Sequence, residues 1–224
     1  MKKSIIAFPR IGSNRELKFA LEKYFRKEIT EEELQTVAKE IRLENWKSQK
    51  EAGIDSPISN DFSFYDQTLD LSIALGAIPE SYKNLELNEL DTLFALARGF
   101  QDEQNDVKAR PMKKWFNTNY HYIVPEWKDV NPKLNNTRLL DLYKEAKEIV
   151  GDKAKPVITG PITYVALSSG LAEGEFEKAV DKLVPLYTQV FKELAEAGAS
   201  YIQVDEPIFV TDEGRNYVEL AHKV

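Results

Sequence analysis

The 224-residue chain has no cysteine. That excludes disulfides and thiolate–metal sites built within it. Histidine is nearly absent too, with His121 and His222 the only two. A catalytic zinc site draws several ligands from His, Cys and carboxylates, so the composition points to no metal site in these residues. No apolar run approaches the roughly 20 residues a transmembrane helix needs. Two lysines precede the short apolar run 4–8, but Pro9-Arg10 ends it before a signal-peptide core forms. A soluble, cytoplasmic protein is the expectation. Nor is there an excess of positive charge: 30 Lys and Arg stand against 37 Asp and Glu, a formal net of −7. General nucleic-acid binding needs a basic face, so neither nucleic acid nor membrane is an expected partner.

What is present is a core. Apolar residues make up 42% of the chain and Phe, Tyr and Trp 11%, which excludes intrinsic disorder. The length exceeds the commonest domain size, yet falls short of the roughly 250 residues typical of a closed (β/α)8 barrel.

The pattern alternates strands and helices. Residues 4–8 read as a short buried strand. Over 13–26, Leu17, Ala20, Leu21, Tyr24 and Phe25 share one helical face, with Ser13 and Glu16 at capping-box spacing. Residues 30–52 read as a helix opened by Thr30 and Glu33 and closed by Gly53. A strand and loop occupy 54–64. Helices are expected over 65–75, 88–99, 137–150, 173–197 and 213–222, and a polar loop over 101–106. Strands are expected over 113–124, 155–159 and 201–204. Gly160-Pro161 reads as a tight turn. Short apolar strands between amphipathic helices imply an α/β fold with parallel pairing. About five βα units are present. That leaves a doubly wound open sheet or an incomplete N-terminal portion of a (β/α)8 TIM-type barrel, with an open sheet edge that needs covering.

Polar residues follow several strands, where barrel sites are built: Arg10, then Asn60 and Asp61, then Asp205 and Glu206. Arg15 and Lys18 are three apart at a helix start, which suits a carboxylate or phosphate; the ordinary reading is a solvated face. Lys114 precedes an aromatic-rich stretch. On a regular strand Lys114, Phe116, Thr118, Tyr120 and Tyr122 would share a face, for stacking or for a core. A lone His121 is more often structural than catalytic. Asp205 and Glu206 admit a carboxylate hydrolase, with Asp61 as third carboxylate, or a helix cap.

Particular strings go further. Phe8-Pro9-Arg10-Ile11-Gly12, Arg15-Glu16-Leu17-Lys18, Asn60-Asp61-Phe62-Ser63-Phe64-Tyr65-Asp66, Lys114-Trp115-Phe116-Asn117-Thr118-Asn119-Tyr120-His121-Tyr122, Lys155-Pro156-Val157-Ile158-Thr159-Gly160-Pro161 and Gln203-Val204-Asp205-Glu206-Pro207 occur in that order. Their order and spacing closely resemble the N-terminal domain of the cobalamin-independent methionine synthases, the 5-methyltetrahydropteroyltriglutamate–homocysteine methyltransferases. The likeness runs over nearly the whole chain. It implies a protein of two (β/α)8 barrels, with residues 1–224 the first portion of the N-terminal one. It also implies a methyl donor with a polyglutamate tail, homocysteine as acceptor, no cobalamin, and zinc held with homocysteine in a C-terminal barrel beyond this chain. There zinc lowers the thiol pKa, and the thiolate takes the N5-methyl group. No catalytic residue or metal ligand is then expected here. By the same resemblance Arg15, Glu16, Leu17, Lys18 and Lys114 bind the folate. Two positions depart from the family pattern: Pro111 stands at or near a place that is commonly acidic, and Lys113 stands where threonine is usual. A non-catalytic anion-binding or vestigial barrel module is the alternative.

Overall fold

In the computed structural model, which describes residues 2–135 and 137–223, several helices begin where a side chain takes up their free N–H groups. Helix α1 (Glu16–Phe25) is an exception: its N-cap is Arg15, at φ 65° and ψ 33°, and no side chain caps it. The box expected between Ser13 and Glu16 does not form, because the Glu16 carboxylate accepts from the backbone N–H and the Nδ2 of Asn14 instead. Helix α2 (Glu31–Glu51) has the expected Thr30–Glu33 box, and Gly53 follows it at φ 67°. Asp66 caps α3 (Gln67–Ala74). A short α4 (Glu80–Lys83) follows Pro79, and Asn88 caps α5 (Glu89–Arg98).

The region expected as a polar loop holds an antiparallel pair, β1 (Phe100–Gln101) with β2 (Asp106–Val107). Asp102 reverses the chain between them by accepting the N–H groups of Gln104 and Asn105. The single strand expected over 113–124 is corrected likewise. It is a hairpin, β3 (Met112–Lys114) with β4 (His121–Ile123). The Thr118 hydroxyl donates to the Trp115 carbonyl and accepts from the Tyr120 N–H, which closes the turn, and Phe116 adopts φ 50°. Register puts Lys113 opposite Tyr122 and Lys114 opposite His121, so Lys114 and Tyr122 do not share a face as expected.

Helix α6 (Arg138–Val150) ends before Gly151 at φ 68°. After β5 (Val157–Thr159), Gly160-Pro161 is not a tight turn. It opens α7 (Pro161–Leu167), with Gly160 as N-cap and Pro161 at N1, where a missing N–H costs nothing. Helix α8 (Phe176–Glu196), β6 (Gln203–Asp205) and 3-10 turns over Pro207–Val210 and Glu213–His222 complete the order. The last of these was expected as an α-helix. Strands pair as β1–β2, β3–β4 and β5–β6, and no closed sheet forms among the described residues. The fold is mixed α/β.

The chain divides into two compact units. The first comprises Met1–Phe64, Leu139–Ile158 and Glu193–Gln203. Its strand-like segments meet in parallel, Ser4 with Ser56 and Ile58 with Lys155, and the Gln203 N–H donates to the Pro156 carbonyl. The strand expected over 4–8 is reduced to the bridge at Ser4. Helix α2 buries Leu34, Ala38, Ile41 and Trp46. It also satisfies the backbone of buried Ile58: the Trp46 indole donates to its carbonyl at 3.0 Å, and Gln49 accepts its N–H at 2.9 Å. Arg42 pairs with Glu145 at 2.9 Å and lies over the Phe62 ring. The second unit comprises Tyr65–Arg138, Thr159–Lys192 and Val204–Val224. There Asp66 accepts the N–H groups of Leu69 and Ile123, joining α3 to β4. The fully buried Tyr164 bonds Ser72, and Arg110 pairs with Glu126.

Two outcomes follow from the first unit. Trp46→Phe leaves the Ile58 carbonyl unpaired in the core and should cost about 1–3 kcal/mol in urea unfolding. Asp61, which accepts the Phe8 N–H at 2.8 Å, is pushed by burial from its ordinary 3.8 to about 6. A raised carboxyl pKa favours the folded state below pH 4, and that advantage is lost as pH rises through 6, about 3 kcal/mol in all. Asp61→Asn should therefore gain stability on the parent as pH rises from 4.5 to 7.5; parallel profiles would contradict this.

Candidate functional site

The segment leading into α1 is held by side chains at each end. Asp61 takes the Phe8 N–H, and the Asn45 amide donates to the Pro9 carbonyl at 3.0 Å. Gly12, at φ 81°, accepts the Arg15 N–H at 3.2 Å. A Cβ on Gly12 would displace the Glu16 carboxylate, and at this φ any other side chain is strained. Arg15 then adopts the left-handed region, which costs a non-glycine residue roughly 1–2 kcal/mol. Its side chain is exposed, and its guanidinium makes no ion pair or hydrogen bond among the described residues. The Lys18 ammonium lies 3.4 Å from Glu22 and over the Phe19 ring. Bonds from its own backbone and from Asn14 hold the Glu16 carboxyl below the usual carboxylate range.

The structure thus brings Arg15, Glu16 and Lys18 together on the opening turns of α1. Leu17 is different: it is 2% exposed, its side chain belongs to the core, and its N–H donates to the Ile11 carbonyl at 3.2 Å. Phe8, Pro9, Gly12, Ser13, Glu16 and Phe19 form one wall of a groove of about 870 Å³ whose other wall is α2. Lys114 belongs to the second unit. It is exposed at the end of β3, opposite His121, and the Pro111 carbonyl accepts the Val124 N–H beside it. Trp115 packs edge-on against Phe116 and Tyr122.

Of the two strand-end carboxylates, Glu206 caps a helix. Both Glu206 oxygens accept N–H groups at the start of α7, from Ile162 at 2.9 Å and Thr163 at 2.6 Å. Burial raises its pKa, and those bonds oppose the rise. Gly160 is needed there, because a Cβ would overlap the Glu206 carboxylate. Glu206 caps the helix before it, not the one after. Among the described residues, no group of three or more His, Cys, Asp and Glu side chains is placed to hold a metal ion, and no helix is long and apolar enough to cross a membrane. Sequence reasoning missed Asn14 and Asn45. Asn14, two before Glu16, carried a local signal; the bond from Asn45 to Pro9 spans 36 residues and carried none.

Known proteins match nearly the whole of this chain in sequence. A family model described as the N-terminal domain of the cobalamin-independent synthases matches residues 2–224. A 5-methyltetrahydropteroyltriglutamate–homocysteine methyltransferase of Lactococcus lactis subsp. lactis is 70% identical over 214 residues, covering 95% of this chain and 28% of that protein. One of Streptococcus mutans is 56% identical over 223 residues, covering 100% of this chain and 29% of that protein. The chain spans less than a third of the length of these relatives. With the match running from the first bridge through the last helical turns, the chain belongs to the cobalamin-independent synthase N-terminal domain family.

Proposed function

We propose that residues 1–224 are the first portion of an N-terminal (β/α)8 barrel in a longer cytoplasmic methyltransferase. That enzyme moves the methyl group of 5-methyltetrahydropteroyltriglutamate to homocysteine and makes methionine. The parallel neighbours Ser4–Ser56 and Ile58–Lys155, with Gln203 bonded beside Lys155's strand, support the barrel reading, since chain order follows spatial order there. The part played by this chain is to hold the polyglutamate tail through Arg15 and Lys18, with Lys114 as a further folate contact. One observation carries this: a guanidinium at Arg15, exposed and unpaired among the described residues, stands three residues from Lys18 at the positive end of the α1 dipole, which favours an anion.

A tail held this way contributes positioning and uniform binding energy. Zinc does not fit the residues present, which include no cysteine and, among those described, no cluster of donors. Its ligands in the whole enzyme then lie in a C-terminal barrel of the same polypeptide, as does the homocysteine site, and this chain alone transfers no methyl group. Cobalamin has no part. No observation favours a carboxylate hydrolase, because both Glu206 oxygens are engaged by α7.

In the complete enzyme, Arg15→Ala with Lys18→Ala should raise KM for the triglutamate folate about tenfold or more while kcat changes little, the mark of lost uniform binding. The monoglutamate should suffer less. Equal losses on both substrates would contradict the tail assignment.

A further inference from the structure

The start of α1 breaks three local rules together. Its N-cap is arginine, where Ser, Thr, Asp or Asn are favoured, and no side chain caps it although Ser13 is near. Its N-cap backbone is left-handed without glycine. Its cation stands at the positive end of the helix dipole. The exposed Arg15 side chain gains nothing from packing that offsets these costs. Such local conflicts concentrate where function requires them.

One side chain holds the arrangement. Glu16 accepts the Asn14 backbone N–H at 3.0 Å through Oε2 and the Asn14 Nδ2 at 3.1 Å through Oε1. Asn14 is the residue before Arg15, so fixing it fixes the peptide that enters the strained position. On the other side the Gly12 carbonyl holds the Arg15 N–H.

We infer that Glu16 is a positioning residue: its carboxylate clamps Asn14 and so presents Arg15 to a polyanionic tail, and Glu16 does not itself contact the tail. This deepens the tail-binding reading and rests on it. The sign of the effect separates the two roles. A carboxylate that merely lies beside a polyanion site repels the anion, so removing its charge tightens binding. A carboxylate that positions the guanidinium is needed, so removing it weakens binding.

The test is calorimetric titration of pteroyltri-γ-glutamate into the 224-residue chain at low salt. Arg15→Ala, Glu16→Gln, Glu16→Asp and Asn14→Ala are compared with the parent. Arg15→Ala should weaken binding about tenfold. Glu16→Gln should weaken it roughly three- to tenfold despite the lost negative charge. Glu16→Asp, which keeps the charge but is one methylene short of the clamp, should weaken it similarly, and Asn14→Ala less. Tighter or unchanged binding in Glu16→Gln, with Arg15→Ala still weakened, overturns the inference and leaves tail binding standing. Unchanged binding in Arg15→Ala overturns both. Hydrogen exchange over Glu16–Phe25 reports whether α1 survives each change. Should Glu16→Gln melt it, Glu16→Asp and Asn14→Ala decide, and full affinity in both overturns the inference.

Discussion

Lys155 ties the first unit together. Its backbone bonds Pro57 and Ser59 at 2.7 and 3.0 Å, which sets the second and third strand-like segments side by side. Its ammonium donates to the Ser4 hydroxyl, the Ile5 carbonyl and the Gln203 side chain, which reaches the first and last segments. The residue is 5% exposed, and no carboxylate pairs with it among the described residues. A buried cation is tolerable only when its donors are satisfied, and an ammonium has three. The four segments must therefore hold their mutual positions for this charge to remain buried. That constraint fixes the base from which the segment after residue 5 departs toward α1.

From that base, polar side chains carry the order outward. Asp61 and Asn45 hold Phe8 and Pro9, Gly12 turns the chain, and Glu16 clamps Asn14. At the end of this series Arg15 holds a left-handed backbone, and its charge is unpaired among the described residues. A rigid base, a series of specific bonds and a strained cation at the end suit a site that binds a flexible anion. Order established beforehand lowers the cost of binding.

Much of this was legible in the amino-acid order, and the gaps have physical causes. Thr30 with Glu33 and Gly53 marked α2 because a capping box and a left-handed glycine are local devices. Gly76, Gly99, Gly151 and Gly198 marked helix ends for the same reason. The 112–123 hairpin was hidden because aromatic and β-branched residues favour strand on both sides of a turn. The turn itself rests on the Thr118 hydroxyl and a positive φ at Phe116. Ser13 and Glu16 had the right spacing for a box, but Asn14 competed for the same carboxylate at shorter range. The part Lys155 plays left no local signal in the strand expected over 155–159, since its acceptors lie 150, 151 and 48 residues away. Of the folate residues implied by family likeness, Arg15, Glu16 and Lys18 do share one helix start. Leu17 turned out to serve the core, and Lys114 sits in the other unit.

The central claim is that this domain receives the polyglutamate tail at the start of α1. The most direct measurement is an amide chemical-shift titration of the 224-residue chain with pteroyltri-γ-glutamate. The account predicts saturable shifts concentrated on residues 12–18, with a further set near Lys114. Shifts confined elsewhere, with residues 12–18 unmoved, would contradict it.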